Sequence, residues 1–201
     1  MEEKKLIKNL KLKDENSFKF LVEKYKDFVF NTCLSILQNS EEADDLSQEV
    51  FIQVFNSIKT FREDSSISTW IYRITLSKCF EHLRFKKRKK RFSNLINIFR
   101  GDGTVIDIPE FDHPGVILEK KEDAKLLFKA IEKLNEEQKT AYVLKNIQGL
   151  SYDKISKIMK KSKSSIESLI FRAKKNLRRY LETRIDRKST RLNSSHQIIS
   201  Y

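Results

Sequence analysis

Residues that break helices are gathered almost entirely in one place in this chain, and that gathering constrains the fold more than any other feature. Among 201 residues only four are glycine and two are proline. Gly101, Gly103, Pro109, Pro114 and Gly115 all lie in one stretch. Tight turns draw on these residues, so their scarcity elsewhere leaves few turns and few natural interruptions of a helix. With Lys, Leu, Ile, Glu and Phe abundant, the composition predicts an all-α fold. The breaker-rich stretch predicts two small helical domains, over 14–91 and 118–182, joined by a flexible linker at 92–117.

A hydrophobic fraction of 39% is enough for packed cores. The formal net charge of +13 and a pI near 9.6 favour a polyanionic partner, nucleic acid first. Cys33 and Cys79 stand apart in sequence, each within a helical apolar pattern and without a nearby His at metal spacing, which predicts buried free thiols in a reducing compartment. No apolar run at the N-terminus suits a signal peptide and no eighteen apolar residues run together, so a soluble cytoplasmic protein without membrane insertion is expected.

In chain order, Phe18, Leu21, Tyr25, Phe28, Val29, Thr32 and Ile36 recur at helical spacing behind a polar start at Asp14. Ser40, followed by Glu41 and Glu42, predicts an N-cap with acids in the first turn. Ala43, Leu46, Val50, Val54 and Ile58 then form the inner stripe of a second helix, with Asp44, Asp45, Gln48, Glu49 and Gln53 outside. A polar loop from Lys59 to Ser66 feeds a third helix, over 67–91, that carries two chemistries. Ile67, Trp70, Ile71 and Ile74 form a core-facing stripe, whereas Arg84, Lys86, Lys87, Arg88, Lys89, Lys90 and Arg91 make a cationic run. That run suits phosphate, or else is a solvated helix end fraying into the linker.

After the linker, Leu126, Leu127, Ala130, Ile131 and Leu134 mark one helix and residues 136–146 the next, which Gly149 is expected to end. Ser151 predicts the cap of a short helix with Ile155, Ile158 and Met159 inward. A tight polar turn and a second helix, cationic on one side, complete a helix-turn-helix pattern. The tail at 183–201 resembles translated adapter sequence and is expected to be non-native or disordered, outside the fold.

The order of these parts resembles a known family. Residues 43–51, Phe61, Arg62 and the run from Thr69 to Ile74 resemble region two of bacterial sigma factors, while residues 134–138 and 149–155 resemble region four. Together they look like the extracytoplasmic function branch of the sigma-seventy family. The resemblance implies a protein that binds core RNA polymerase, through the beta-prime clamp and the beta flap, and directs promoter recognition and melting. It also implies an anti-sigma factor as partner, and no catalysis, cofactor or metal.

Residue by residue, the resemblance carries polymerase binding to Asp44, Asp45, Leu46, Gln48, Glu49 and Phe51. An acidic patch on a basic protein would repel DNA, which agrees with a protein contact there. The minus-ten element falls to Phe61, Arg62, Ser65, Ser66, Ser68, Thr69, Arg73 and Lys78, residue types that supply an apolar wall, small hydroxyls for base edges and cations for the displaced strand. Trp70 is either core, as its spacing suggests, or a stacking platform, and Ser77 stands where the family often has Asn. The minus-thirty-five element falls to Ser164, Ser165, Glu167, Ser168, Arg172, Lys174 and Lys175. Glu167 either completes a capping box with Ser164 or accepts from a cytosine amino group.

Two other readings compete. A conventional helix-turn-helix regulator would bind duplex DNA tightly without polymerase. A Mg²⁺-dependent hydrolase would start from Glu41, Glu42, Asp44, Asp45 and Glu49, but the sequence offers no second acidic cluster, no phosphate-cradling loop and no placed base. His82 and His113 stand alone and are read as surface or linker residues.

Overall fold

A computed structural model of the chain describes residues 3–100 and 121–197, and the side chains of 3–92 and 126–183. Its elements are helices: α1 Glu3–Lys11, α2 Glu15–Leu37, α3 Ser40–Ser57, α4 Ile67–Arg100, α5 Lys121–Glu132, α6 Glu136–Tyr142, α7 Tyr152–Met159 and α8 Lys163–Gln197. A 3-10 turn, Ile58–Thr60, follows α3, and a π-helical segment, Val143–Ile147, continues α6. The all-α expectation holds among the described residues.

Several boundaries differ from expectation. Helix α1 precedes the first expected helix and docks through Leu6, Ile7 and Leu10, all buried. Helix α4 does not stop at Arg91 but continues through Arg100, into the stretch read as linker. The remaining breakers, at 101–115, and His113 lie outside the described residues. Helix α8 likewise continues to Gln197, through most of the tail set aside above.

The helix starts follow local chemistry. Asp14 accepts from the Ser17 amide at 2.7 Å and opens α2, satisfying one of the free amides of a first turn. Helix α3 is capped by Asn39 rather than Ser40, its side-chain oxygen accepting from the Glu42 amide at 2.8 Å. Extended backbone at Asn39 (φ −136°, ψ 124°) leaves Ser40 already helical. At α7, Ser151 accepts from the Lys154 amide at 3.3 Å, as its position predicted.

Helices α2, α3 and α4 pack on one another, with α1 against α2. Leu21, Val29, Cys33, Val50, Ile71 and Cys79 are completely buried between them, each large aliphatic contributing about 1.5–3 kcal/mol by leaving water. The two thiols, far apart in sequence, meet here with their sulfurs 3.7 Å apart. Hydroxyls enter this core by bonding their own helix: Thr32, Ser47 and Thr75 donate to the carbonyls of Phe28, Ala43 and Ile71.

The second half shares part of its core with the first. Leu144, Ile155, Ile158, Ile166 and Ile170 belong to the same buried cluster as the first three helices, because α7 lies on α4 and the π segment lies on α2. A smaller cluster, Phe128, Ala130, Ile131, Leu134, Ala173 and Leu177, joins α5 to α8. Polar contacts close the seam: the Gln38 amide donates to the Phe128 carbonyl at 2.9 Å, and Arg84 meets Glu136 at 3.1 Å. Lys139, on α6, is buried, and burial pushes its ammonium below its ordinary value.

Gly149 closes the π segment with φ +67°, and the Leu150 amide reaches back to the Leu144 carbonyl at 2.9 Å. A Cβ on Gly149 would touch nothing within 4 Å, so replacement is opposed by backbone conformation alone. Gly149→Ala is therefore expected to destabilise by about 1 kcal/mol, read as a melting temperature lower by about 2–4 °C.

Candidate functional site

Helix α3 presents the first surface. With Ala43, Leu46, Ser47, Val50, Phe51 and Val54 buried, its other side exposes Asp44, Asp45, Gln48, Glu49 and Ile52. The Gln48 amide donates to Asp44 at 3.1 Å, the i,i+4 spacing that stacks side chains on one helix face. Of the residues assigned to polymerase, Leu46 and Phe51 therefore point into the core and support the stripe from beneath. Ile52, 60% exposed, was missed in sequence. It stands one turn beyond Gln48 and outside the inner stripe, a signal that was available.

The second surface is the loop at 61–66 and the start of α4. Phe61 is buried against the Trp70 ring, centroids 5.0 Å apart, so Phe61 faces inward rather than toward a ligand and the half-buried Trp70 belongs to the core edge. Ser66 opens α4: its hydroxyl accepts from the Thr69 amide at 3.3 Å and lies 3.0 Å from the hydroxyls of Ser68 and Thr69. Thr69 is buried, whereas Arg62 is exposed and Ser65 half-buried. Lys78 pairs with Glu49 at 3.3 Å, which brings a residue assigned to DNA against one assigned to polymerase. Arg73 is engaged across the seam. Its guanidinium donates to the Lys157 carbonyl at 2.6 Å and the Ile158 carbonyl at 3.2 Å, at the last turn of α7.

Helices α7 and α8 form the third surface. Lys160, in the left-handed region at φ 52°, ends α7, and two residues later Ser162 accepts from the Ser165 amide at 3.2 Å. Ser162, not Ser164, is the cap, which corrects the capping-box reading of Ser164 and Glu167. Ile166, Leu169, Ile170, Ala173 and Leu177 face inward. That leaves Ser164, Ser165, Glu167, Ser168, Arg172, Lys174 and Lys175 exposed. Ser164, Ser165, Ser168 and Arg172 line one hollow with Glu137 and Lys161, themselves paired at 2.9 Å. Phe171, 70% exposed beside Arg172, is a further residue that sequence reading passed over.

Among the described residues, no three His, Cys, Asp or Glu side chains converge as a metal site requires. Glu42, offered above as one possible ligand, is instead held by His82 at 3.0 Å and by Lys86. His82 thus does not stand alone.

Comparison with known proteins finds matches to both halves of the chain. The Sigma-70 region 2 model matches residues 21–89 and the Sigma-70 region 4 model matches 124–177. The ECF RNA polymerase sigma-E factor of Escherichia coli is 30% identical over 173 residues, covering 84% of this chain and 88% of the relative. The RNA polymerase sigma-H factor of Pseudomonas aeruginosa is 28% identical over 185 residues, covering 90% and 94%. The fold is also that of CnrH, solved in complex with the cytosolic domain of CnrY (TM-score 0.64, 19% identity, covering 90% of this chain and 97% of that one). It is shared by the sigma factor RpoE of Bartonella quintana, solved with the anti-sigma factor NepR (TM-score 0.61, 19% identity, covering 82% and 96%). The chain belongs to the extracytoplasmic function branch of the sigma-70 family of RNA polymerase sigma factors. It binds core RNA polymerase and directs it to promoters, in a family that acts in transcription initiation without catalysing a reaction. No helix among the described residues is long and apolar enough to cross a membrane.

The Glu42 cluster carries a pH signature. Burial alone would raise its carboxyl, but hydrogen bonds from Lys86 and His82, and their charges, bring it below the ordinary 4.5. A lowered carboxyl contributes stability that is complete above its unfolded value and is lost as pH falls through the folded value. Glu42→Gln is thus expected to lower urea resistance at pH 7, with the gap from wild type closing only below about pH 4.5.

Proposed function

We propose that the exposed stripe of α3 is the contact with core RNA polymerase, through the clamp coiled coil of its beta-prime subunit. The observation that carries this reading is the stripe itself: Asp44, Asp45, Gln48 and Glu49 stand exposed on a chain of net charge +13. Carboxylates placed there repel phosphate and suit a protein partner. Ile52 supplies an apolar centre, and Leu46 and Phe51 hold the helix from below.

The loop at 61–66 and the first turns of α4 hold the displaced strand of the minus-ten element. Arg62, Ser65, Ser66 and Ser68 face that strand, Phe61 and Thr69 build the wall behind it, and Arg73 and Lys78 supply cations. Capturing unpaired bases draws the duplex toward its open form, so melting needs no chemical step. Arg73 reaches DNA only after α7 withdraws from it.

Ser164, Ser165 and Ser168 enter the major groove at the minus-thirty-five element, with Arg172, Lys174 and Lys175 on the backbone. With Ser162 as the cap, Glu167 is available to accept from a cytosine amino group. On this reading residues 14–91 serve polymerase and the minus-ten element, 118–182 serve the minus-thirty-five element and the beta flap, and 92–117 connect them. An anti-sigma factor as regulator is supported by the shared fold of a sigma factor solved with NepR, and the site of action is the cytoplasm, where RNA polymerase works.

Charge reversal tests the first surface. Asp45→Lys is expected to weaken co-elution with core polymerase at least about tenfold, the loss for a like charge placed in an interface, while DNA affinity stays equal or rises. Unchanged polymerase binding refutes the assignment. At the third surface, Lys174→Ala with Lys175→Ala should weaken DNA binding uniformly across sequences and reduce its salt slope by about 2. Ser168→Ala should instead alter base preference, read by a competition assay over a promoter library.

A further inference from the structure

Helix α1 belongs to neither matched region, yet it makes specific contacts with the loop proposed to capture the minus-ten strand. The Glu3 carboxylate accepts from the Ile67 amide at 2.8 Å, at the first turn of α4, where amides have no helical partner and the dipole favours an anion. Lys11, at the other end of α1, pairs with Glu63 in the middle of the loop at 2.6 Å. Lys13, just beyond α1, donates to the Phe55 carbonyl and sits 3.6 Å over the Phe55 ring, ahead of the loop. Glu63 holds φ +63°, a left-handed conformation unfavourable for a side chain that is not glycine.

These contacts are held from a firm base. Leu6, Ile7 and Leu10 are 2–4% exposed, and α1 also touches the 3-10 turn Ile58–Thr60 from which the loop departs. The loop therefore runs between two points fixed to one docked helix. Lys11 has a second effect. Glu63 and Asp64 place two carboxylates in a loop that must approach phosphates, and an ammonium paired with Glu63 offsets one of them.

We infer that α1 is a positioning element for strand capture, in which Glu3 fixes the loop where it enters α4 and Lys11 holds and neutralises its centre at Glu63. The inference rests on the reading of residues 61–69 as the minus-ten contact. Neither Glu3 nor Lys11 touches DNA in this scheme; each acts through the loop.

The test uses the full chain with core polymerase, on a duplex promoter and on the same promoter with its minus-ten segment already opened by mismatches. Glu3→Ala is expected to reduce open-complex formation on the duplex about fivefold, with Glu3→Gln intermediate because it keeps an acceptor without the charge. Core polymerase binding should not change, and the deficit should shrink below about twofold on the pre-opened template. A role limited to general stability would lower activity on both templates alike, and that result overturns the inference, as does wild-type melting by Glu3→Ala. Lys11→Ala should also impair melting, but not in a Glu63→Ala background, because its effect passes through Glu63; an equal loss in both backgrounds overturns that half. If Arg62→Ala leaves melting intact while wild type opens the duplex, the reading of the loop itself fails and the inference falls with it.

Discussion

Helix α4 is packed from two sides at once, and most of the molecule depends on that packing. Ile67, Ile71 and Cys79 are buried against α2 and α3, while Tyr72 and Arg73, on another face, meet α7 through the Lys154 ammonium and the last carbonyls of that helix. Interiors pack at near-crystalline density, so a helix shared by two groups of neighbours fixes both. The loop before α4 gains its position from this rigidity, and the cations after Lys86 ride on a helix whose first half is immobilised in the core. One element thereby carries the proposed wall for bases, a seam between the halves and a cationic extension.

Much of this arrangement was legible because it is written in short-range chemistry. The stripe through Leu21, Tyr25 and Val29 needs only a 3.6-residue period to be read, and Ser151 and Gly149 act within a few residues of themselves. What escaped sequence reading depends on contacts distant along the chain. Helix α1 is too short to be stable alone and owes its existence to the docking of Leu6, Ile7 and Leu10. His82 finds Glu42, and Cys79 finds Cys33, only after α4 has folded onto its neighbours. The misplaced caps have a local cause: Asn39 and Ser40, or Ser162 and Ser164, are all capable residues. Which one caps is settled by where the backbone turns helical.

The candidate surfaces show the same division. Resemblance marks whole motifs, and a motif mixes residues that face a partner with residues that hold the first kind in place. Asp45 and Gln48 are exposed, whereas Leu46 and Phe51 beside them are buried; Ser68 is half-exposed and Thr69 beside it is not. Amphipathic spacing separates the two kinds without any knowledge of family, and it also singles out Ile52. Glu63 and Lys11 lie outside such patterns, since their relation is one between a loop and a helix that periodicity does not connect.

If Arg73 serves the minus-ten strand as proposed, its bond to the end of α7 makes the chain its own competitor. A partner within the same chain acts as a raised local concentration, so on that reading any phosphate seeking that guanidinium contends with carbonyls already bonded to it. The apparent affinity of the free chain for DNA is then reduced by the fraction of molecules in which α7 has left. On that proposed role, whatever spreads the two halves raises DNA affinity without touching DNA, and by thermodynamic reciprocity DNA held by Arg73 favours whatever spreads them.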